Sequence, residues 1–228
     1  MLSNDYSSVS VVIPAKNEAT SLLELLPKLV NLFPCYEIIL VNDGSTDNTS
    51  EICAQLDVLE VRHPYSKGNG ASIKSGARRA TGDILVFMDG DGQHQPSDIS
   101  RLLDKLDEGF DMVIGARDSK SQASIGRLAA NTVYNKLSSW MVGHKIKDLT
   151  SGFRAVKADK FRQFLYLLPN GFSYPTTSTM AFFRAGLSVG YLPIVALKRE
   201  GKSHINYMKD GMRFLLIIFK VASLYSPL

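Results

Sequence analysis

Short apolar runs alternate with amphipathic segments along the first half of the chain. The runs have the length and composition of buried β-strands, and polar or glycine-containing turns end most of them. The segments between them carry apolar residues at helical spacing. The predicted strands are residues 9–13, 36–41, 58–61, 83–88 and 112–114. The first predicted helix either follows a capping box at Ser21 or begins at Pro27. The second runs from Thr46 or Asp47 to about Gln55, and two more cover residues 71–80 and 97–108.

This alternation of strands and helices predicts an α/β fold with a mostly parallel central sheet and helices on both faces. Right-handed crossovers place the carboxyl ends of the strands at one edge of the sheet. Three polar segments directly follow strands, and we therefore expect them to converge on one crevice. They are Asn42-Asp43, Asp89-Gly90-Asp91 and Gly115-Ala116-Arg117.

The second half of the chain is less regular and ends in a strongly apolar segment. Its predicted helices are residues 125–142 and 161–168, and its predicted extended segments are residues 153–156 and 189–197. No linker interrupts this part, so we expect one domain over residues 1–204. Residues 205–228 are predicted to form an apolar helix that either closes the core or lies at a membrane interface, alone or ahead of further membrane segments. No apolar run is long enough to cross a bilayer.

The composition narrows the range of partners. A net charge of +4 on 228 residues is too small to indicate nucleic-acid binding. It is compatible with a phosphate-bearing substrate or with an anionic membrane surface. The two cysteines, Cys35 and Cys53, lack a metal-binding spacing, so we expect reduced thiols.

The strand at residues 83–88 ends in two carboxylates separated by one glycine. Asp89 and Asp91 therefore place oxygen ligands where α/β folds bind ligands, and Gln93 adds a third oxygen. Mg²⁺ or Mn²⁺ binds one or two carboxylates and completes its shell with water and phosphate oxygens. Asp-Gly is also an ordinary turn sequence, so the apolar strand before it is what favours a metal site. His94 is either a further ligand or a solvated side chain.

Loops after the first three strands provide candidate contacts for a nucleotide. Asp43, at the end of the second strand, can accept a hydrogen bond from a nucleobase N–H. Lys67-Gly68-Asn69-Gly70 begins a helix with a tight turn that can present N–H groups and a lysine to phosphate. The dinucleotide fingerprint of oxidoreductases is not matched, because Ile73 occupies the place of its third glycine. The loop after the first strand is small and polar enough for a flat ligand, and includes Pro14, Ala15, Asn17 and Glu18.

Four motifs resemble those of glycosyltransferase family 2, and they follow one another along the chain in the same order as in that family. More narrowly, they are similar to the group of dolichol-phosphate mannose synthases and bactoprenol-phosphate glucosyltransferases. The resemblance implies a GT-A fold, a nucleotide-sugar donor, a divalent cation and inversion at the anomeric carbon. The motifs are Val11 to Glu18, Val41 to Asp47, Gly82 to Pro96 and Asp148 to Arg154, and the likeness extends from about Val9 to Ser203.

The same resemblance implies roles for particular residues. One departure is Asn42, where many relatives carry a second aspartate, and this difference bears on recognition of the base. The residues implied for the nucleoside pocket are Pro14, Ala15, Glu18 and Asp43, and those implied for the metal on the donor diphosphate are Asp89, Asp91 and Gln93. The residues implied for the acceptor phosphate are Arg117, Arg127 and Asn131, and those implied for a loop that closes over the diphosphate are Arg199 and Ser203.

The acceptor implied by this group is a polyprenyl phosphate at the cytoplasmic face of a membrane, and the donors considered are GDP-mannose and UDP-glucose. A phosphomonoester has a second pKa of about 6, so at neutral pH it is already a nucleophile that needs positioning by Arg117 and Arg127. A hydroxyl acceptor on a glycan or lipopolysaccharide precursor would need a base. Asp148 is the candidate, unless it only organises its own loop. A non-catalytic scaffold is a third alternative, and the presence of Asp89, Asp91 and Gln93 argues against it.

Overall fold

A seven-stranded sheet forms the centre of the fold in a computed structural model of the protein. The structure describes residues 8–117, 125–171 and 173–196, and within these it does not describe the side chains of residues 125–131 and 133. The strands are β1 (Val9–Ala15), β2 (Glu37–Asn42), β3 (Leu59–Arg62), β4 (Ile84–Phe87), β5 (Met112–Arg117), β6 (Arg154–Lys157) and β7 (Val189–Ile194). Their order across the sheet is β3-β2-β1-β4-β6-β5-β7. Among these strands β6 alone is antiparallel to its neighbours, so the predicted mostly parallel sheet is confirmed.

Helices cover both faces of the sheet. They are α1 (Ala19–Leu32), α2 (Thr49–Gln55), α3 (Asn69–Arg79), α4 (Asp98–Asp107), α5 (Ile125–Val142), α6 (Ala158–Arg162) and α7 (Tyr174–Arg184). Apolar side chains of α1, α2 and α4 pack against one face, and those of α3, α6 and α7 pack against the other. A smaller apolar cluster joins α5 to α7 around Ile146, Leu149 and Met180. This is the predicted arrangement of helices on both faces of an α/β sheet.

The order of the strands changes direction at β1, which lies between β2 and β4. In open α/β sheets, ligands bind outside the carboxyl ends of the strands at such a point. The loops that follow β1 and β4 approach closely here. A Cβ at Gly90 would lie 3.3 Å from the carbonyl oxygen of Pro14 and 3.4 Å from the Cβ of Ala15. The sheet therefore brings the start of the acidic motif against the end of the first strand.

The predicted strands are confirmed, with boundaries shifted by a few residues. One prediction for the second half is wrong, and one helix was not predicted. The helix predicted over residues 161–168 ends at Arg162, and turns follow it. The helix α7 was not predicted, because its first turns carry the polar residues Thr176, Thr177, Ser178 and Thr179, all of which are buried. Their pattern lacks the apolar spacing that identifies an amphipathic helix.

The first helix begins earlier than either of the two predicted starts. It begins at Ala19 and contains Pro27 in its interior, so neither the capping box at Ser21 nor the proline marks its start. The backbone N–H of Ala19 donates to Oδ2 of Asp47 at 3.0 Å. A side chain from the loop after β2 thus satisfies a group at the start of the helix that a local cap would otherwise serve.

The apolar helix predicted at residues 205–228 lies outside the described residues, as do Arg199 and Ser203. The division of the chain at residue 204 is therefore still a prediction. Within the part of the chain that the structure describes, no helix is both long enough and apolar enough to cross a membrane.

Candidate active site

Asp89 occupies the edge of the sheet where the strand order changes direction. It follows the buried strand β4 and the buried Met88, and its own side chain is 33% exposed. A Cβ at Gly152 would lie 2.9 Å from Oδ2 of Asp89 and 3.1 Å from the hydroxyl oxygen of Tyr174. That hydroxyl donates to the carbonyl oxygen of Gly152 at 3.1 Å. Glycine at position 152 therefore keeps space open beside the carboxylate.

Three side chains lower the pKa of Asp89. Burial alone would raise its pKa, but the interactions with His94, the charge of Arg117 and a hydrogen bond from Asn69 lower that pKa overall. Asp89 is therefore ionised at neutral pH and is a suitable oxygen ligand for a cation.

His94 is buried beside Asp89, and it is not a solvated side chain. Only 7% of the residue is exposed, and its ring stacks on Phe153 with the ring centroids 4.8 Å apart. Its Nε2 lies 3.9 Å from Oδ2 of Asp89. Its Nδ1 is buried and has no hydrogen-bond partner among the described residues. Of the two alternatives for this histidine, the structure excludes the solvated one.

Asp91 and Gln93 complete the acidic motif on one short turn. The Oδ1 of Asp91 accepts a hydrogen bond from the backbone N–H of Gln93 at 3.2 Å. Between them Gly92 has a φ of +73°, a conformation that glycine adopts without strain. Both side chains are partly exposed at the edge of the sheet. Asp91 and Gln93 thus lie on the turn that directly follows Asp89, and the binding of a metal by these three residues stays a prediction.

The side chain of Asn69 belongs to this site, whereas the sequence analysis considered only the backbone of the turn that contains it. It is the first residue of α3, and its side chain hydrogen-bonds with Asp89. Its Oδ1 is buried and has no partner among the described residues. The backbone N–H of Gly70, the following residue, donates to the carbonyl oxygen of Gly171 at 3.1 Å and holds the start of α3 in place. Only this long-range packing brings Asn69 to Asp89, so no local sequence pattern could have revealed it.

Arg117 and Asp148 form a bidentate ion pair on the other side of the site. Arg117 donates from Nε to Oδ2 of Asp148 at 2.8 Å and from Nη2 to Oδ1 at 3.0 Å. The same Nη2 donates to Oγ1 of Thr150 at 2.6 Å. The remaining guanidinium nitrogen, Nη1, takes part in no hydrogen bond to the described residues. The pair therefore fixes the plane of the guanidinium and leaves one edge of it for another anion.

The pair shifts both pKa values in the direction expected for an ion pair. Burial would raise the pKa of Asp148, but hydrogen bonds and the charge of Arg117 lower it overall. Burial would lower the pKa of Arg117, but Asp148 and the charge of Asp89 raise it. A carboxylate that is 5% exposed and bonded twice to a guanidinium is a weak base. The structure therefore argues against Asp148 as a general base and favours its role in organising the loop.

Arg154 supports the same loop from within the core. It is fully buried, and it donates from Nη1 to Oγ of Ser178 at 2.8 Å and to Oγ1 of Thr179 at 3.2 Å. Its Nη2 donates to the carbonyl oxygen of Ser151. These contacts explain two of the buried hydroxyl residues of α7, Ser178 and Thr179, which supply acceptors to a guanidinium inside the protein. Arg154 therefore ties the loop that carries Asp148 to the helix behind it.

Asp43 organises the loop after β3. Its Oδ1 accepts from Nδ1 of His63 at 2.7 Å and from the N–H of Lys67 at 2.8 Å. Its Oδ2 accepts from Oγ of Ser66 at 2.8 Å and from the N–H of Gly68 at 2.9 Å. Four donors fill the usual capacity of a carboxylate. The contacts therefore do not support the prediction that Asp43 accepts a hydrogen bond from a nucleobase.

Three N–H groups of the turn that contains Lys67 already have acceptors within the protein. Those of Lys67 and Gly68 donate to Asp43, and that of Gly70 donates to a carbonyl oxygen of the turn at residues 169–171. The prediction of a phosphate-binding backbone is therefore wrong for these amides, because each already has an acceptor. The side chain of Lys67 is exposed, and its contact with a ligand stays a prediction.

The loop after β1 is held by the loop after β2. Asn17 has a φ of +55°, and its Oδ1 accepts from the N–H of Thr46 at 2.8 Å. Pro14 and Ala15 are buried at the end of β1, and the partly exposed Glu18 precedes α1. These residues lie together at the change of strand direction, as expected, and their contact with a nucleotide stays a prediction.

Two of the predicted acceptor residues lie on α5. Its backbone is described, but the side chains of Arg127 and Asn131 are outside the described residues. The fold places the helix beside the segment that carries Asp148, since Oδ1 of Asn135 accepts from the N–H of Leu149 at 3.0 Å. The position of the helix thus agrees with a site near Arg117, without showing contacts of the two side chains.

The oxygen atoms around Asp89 suit a hard divalent cation that shares its coordination shell with substrate. The described residues contain no group of three or more His, Cys, Asp or Glu side chains that could hold a metal ion by themselves. The oxygens available on this turn and beside Asp89 are the carboxylates of Asp89 and Asp91, the amide of Gln93 and the unpartnered Oδ1 of Asn69. Mg²⁺ and Mn²⁺ use such sets and take water and phosphate as further ligands. The residues present therefore fit the implied cation.

Comparison with known families now adds to this geometry. The family model described as glycosyl transferase family 2 matches residues 10–165. This chain belongs to glycosyl transferase family 2. The match includes all of β1 except Val9, the strands β2 to β6 and the site residues from Pro14 to Arg154.

Two individual proteins are similar to this chain over much of its length. A polyprenol monophosphomannose synthase of Mycolicibacterium smegmatis is 31% identical over 228 residues, which cover 93% of this chain and 84% of that protein. An undecaprenyl-phosphate 4-deoxy-4-formamido-L-arabinose transferase of Klebsiella pneumoniae is 35% identical over 159 residues. That match covers 65% of this chain and 48% of the Klebsiella protein, so it spans about half of that relative.

Solved structures confirm the GT-A type of fold. Glucosyl-3-phosphoglycerate synthase from Mycobacterium tuberculosis, in complex with Mn²⁺, uridine diphosphate and glucosyl-3-phosphoglycerate, superposes with a TM-score of 0.77. It is 20% identical, and the match covers 95% of this chain and 80% of that chain. At this identity the likeness concerns the fold.

Proposed function

We propose that this protein transfers a hexose from a nucleotide sugar to a polyprenyl phosphate, with inversion at the anomeric carbon. The single observation that supports this choice of acceptor is the ion pair of Arg117 and Asp148. It provides an oriented guanidinium, and it removes the only carboxylate that was a candidate base for a hydroxyl acceptor. The names of two relatives support the same acceptor. The Mycolicibacterium protein is named for polyprenol monophosphomannose, and the Klebsiella protein is named for undecaprenyl phosphate.

The donor is proposed to bind at the change of strand direction, with its nucleoside between the loops after β1 and β2. Asp89, Asp91 and Gln93 would hold Mg²⁺ or Mn²⁺ on the diphosphate. A divalent cation supplies Lewis-acid stabilisation of a departing diphosphate. The complex of the structural relative with Mn²⁺ and uridine diphosphate supports this assignment. The base and the hexose stay open between the GDP-mannose and UDP-glucose types.

The acceptor is proposed to meet Arg117. A phosphate monoester is mostly dianionic at neutral pH, because its second pKa is about 6. One of its oxygens attacks the anomeric carbon while the bond from that carbon to the diphosphate oxygen breaks. No proton has to be removed from the attacking oxygen. Arg117, held in its plane by Asp148, orients the nucleophile, and its charge interaction with Asp89 links the acceptor side of the site to the donor side.

The protein is proposed to work at the cytoplasmic face of a membrane, as a peripherally bound catalytic domain of residues 1–204. The apolar residues 205–228 are proposed to lie at the interface, in keeping with the acceptor lipid. The side chains proposed to complete the site from outside the described residues are Arg127, Asn131, Arg199 and Ser203.

The test of the proposed function is an assay with two matched acceptors. The protein is incubated with Mn²⁺, a panel of nucleotide sugars and either a short polyprenyl phosphate or the polyprenol of the same length, and products are identified by mass spectrometry. We expect a glycosylated lipid phosphate with at least one donor and no product from the alcohol. Absence of product across the panel, or equal transfer to the alcohol, would overturn the proposal.

The variant Asp148→Asn distinguishes positioning from base catalysis. We expect kcat/KM for the lipid phosphate to fall about tenfold, with an unchanged pH profile, because one acceptor oxygen for Arg117 remains. Loss of a general base would instead lower turnover by about 10²–10⁴-fold and remove a limb of the pH profile. The larger loss, together with that change in the profile, would favour a hydroxyl acceptor.

A further inference from the structure

One long stretch of the chain carries only positive charges. From residue 119 to residue 147 the sequence contains no aspartate or glutamate. This run includes α5 and the segment that leads to Asp148. Residues 61–82 and 160–199 also carry five basic and no acidic side chains each, so residues 119–147 are distinguished by what they expose and not by their charge alone. The cations in the run are Lys120, Arg127, Lys136, Lys145 and Lys147.

The described part of this run exposes a tryptophan among lysines. Trp140 is 79% exposed, more than any other large apolar side chain in the described residues. Lys136 lies one helical turn before it on α5, and Lys145 and Lys147 follow the helix; all three are exposed. We call this set, together with the exposed His144, the α5 surface. An exposed indole among cations is a combination that a folded protein does not need for its own core.

Hydrogen bonds connect the α5 surface to the acceptor side of the site. The side-chain amide of Asn135 donates to the carbonyl oxygen of Lys147 at 2.9 Å. The N–H of Ile146 donates to Oγ of Ser139 at 2.9 Å. The segment that carries Asp148 is therefore bound along the second half of α5. A surface that contacts the exposed side of α5 would lie next to the loop that orients Arg117.

We infer that the α5 surface docks on an anionic lipid bilayer. The inference rests on the proposed function, because docking there would present a phosphate in the headgroup layer to Arg117. Lysines near an anionic membrane gain from its negative surface potential, and tryptophan favours the boundary between headgroups and acyl chains. With no helix in the described residues able to span a membrane, α5 would lie on the surface of the bilayer.

The chemistry of the α5 surface favours lipid over a protein partner. Lysine is depleted in the cores of protein–protein interfaces, where aromatic residues are enriched. Here a single aromatic side chain stands among exposed lysines, so the indole can enter the headgroup boundary while the ammonium groups stay at the level of lipid phosphates. Cations around one shallow apolar anchor thus match the layered polarity of a bilayer surface.

The experiment measures binding of the full chain to vesicles. Sucrose-loaded vesicles of phosphatidylcholine alone, or of phosphatidylcholine with phosphatidylglycerol, are sedimented with the wild-type protein, with Lys136→Gln/Lys145→Gln and with Trp140→Ala. On the anionic vesicles we expect the partition coefficient to fall about 25-fold for the double variant, at about fivefold for each lysine. For Trp140→Ala we expect a fall of about tenfold on either type of vesicle.

The matched control removes two charges from another part of the surface. Arg78 and Arg79 are exposed in the last turn of α3, which ends at the opposite edge of the sheet. We expect Arg78→Gln/Arg79→Gln to bind anionic vesicles as the wild type does. Equal losses for both double variants would indicate a response to net charge alone and would overturn the inference. Unchanged binding by the α5 variants would overturn it too, and would assign docking to another segment, such as residues 205–228.

A second readout separates this inference from the proposed function. Transfer to a short, water-soluble prenyl phosphate needs no bilayer, so we expect the α5 variants to keep the wild-type rate with that acceptor and to lose rate only with polyprenyl phosphate in anionic vesicles. If no variant or wild-type protein glycosylates any acceptor, the proposed function fails while the vesicle measurement still decides the docking surface. Loss of activity on the soluble acceptor would place these residues in the site and overturn the docking role.

Discussion

Two neighbouring loops at the edge of the sheet differ in how completely the protein satisfies their polar groups. Asp43, after β2, receives four hydrogen bonds from the loop after β3. Beside Asp89, after β4, Oδ1 of Asn69 and Nδ1 of His94 are buried without partners in the described residues. A buried polar atom without a partner costs about 1–3 kcal/mol. The first loop is therefore part of the scaffold, and the second retains polar atoms that a ligand can satisfy.

The two aspartates also reach an ionised state by different means. Burial would raise the pKa of each, and other interactions lower it overall. For Asp43 these are hydrogen bonds from the side chains of His63 and Ser66 and from two backbone amides. For Asp89 they include the charge of Arg117, on a side chain that belongs to the proposed acceptor site. Asp43 is thus locked by its own loop, whereas Asp89 is coupled to groups that meet substrate.

The largest expected effect is the loss of transfer when Asp89 is removed. We expect Asp89→Ala to lower kcat by about 10³-fold or more, because the developing charge on the diphosphate would lose its cation. The variant should unfold at about the wild-type temperature, since the carboxylate is partly exposed and holds no loop in place. Turnover with a nucleotide sugar and thermal unfolding, measured on the same samples, check both expectations.

The control for this variant is Asp107→Ala, which removes an exposed carboxylate at the end of α4. It should transfer sugar and unfold as the wild type does. If Asp89→Ala kept most of its activity, the acidic motif would be an ordinary turn and the difference between the two loops would have no functional meaning.

The opposite pattern is expected when Asp43 is neutralised. We expect Asp43→Asn to lower the free energy of unfolding by about 3 kcal/mol at neutral pH, because an amide cannot accept all four hydrogen bonds. Urea denaturation of the two proteins measures the difference. Asp57→Asn, on an exposed turn, is the matched control. If Asp43→Asn lost affinity for the nucleotide and kept the wild-type free energy of unfolding, Asp43 would instead be a ligand-binding residue.

The pH dependence of this difference has a defined sign. The folded-state pKa of Asp43 lies below that of the unfolded chain, for which the ordinary value is about 3.9. Its contribution to stability is therefore fully present above the unfolded pKa and is lost as the pH falls through the folded pKa. We expect the wild type and Asp43→Asn to differ in unfolding free energy from pH 7 to about pH 5, and to converge as the pH falls below about 4.

The contrast between the loops also shows which parts of the molecule could be predicted from sequence. The strands and the acidic motif at the end of β4 were predictable, because a buried strand needs an unbroken apolar run and the residues just beyond a strand end are exposed at the edge of the sheet. The motifs that indicated the family were also visible, because each is a short run of consecutive residues. These features depend on residues that are neighbours in the chain.

Features that depend on distant contacts were not predictable. The donors that occupy Asp43 come from residues 63–68, and the turn at residues 169–171 accepts the N–H groups at the start of α3. The helix α7 escaped prediction because its first turns bury hydroxyl residues, and two of these, Ser178 and Thr179, accept hydrogen bonds from Arg154 on the strand β6. In each case a polar residue was interpreted through its local sequence, while its partner lies elsewhere in the fold.

The smallest of the expected effects tests the orphaned atom itself. Asn69→Leu removes the amide that hydrogen-bonds with Asp89 and the buried Oδ1 with nearly the same volume. We expect the affinity for Mn²⁺ in the presence of a nucleoside diphosphate, measured by the electron paramagnetic resonance of free Mn²⁺, to fall about tenfold, as for other residues that orient metal ligands. The free energy of unfolding should stay equal or rise, because an unsatisfied polar atom is removed.

This combination separates a ligand-facing asparagine from a structural one. Asn31→Leu, at an exposed position of α1, controls for the added apolar side chain and should leave Mn²⁺ affinity unchanged. A structural role for Asn69 predicts the reverse of our expectation: lower stability with the metal affinity preserved. Weaker Mn²⁺ binding in a variant that folds equally well or better would place Asn69 in the metal site, through its hydrogen bond to Asp89 or through its own Oδ1.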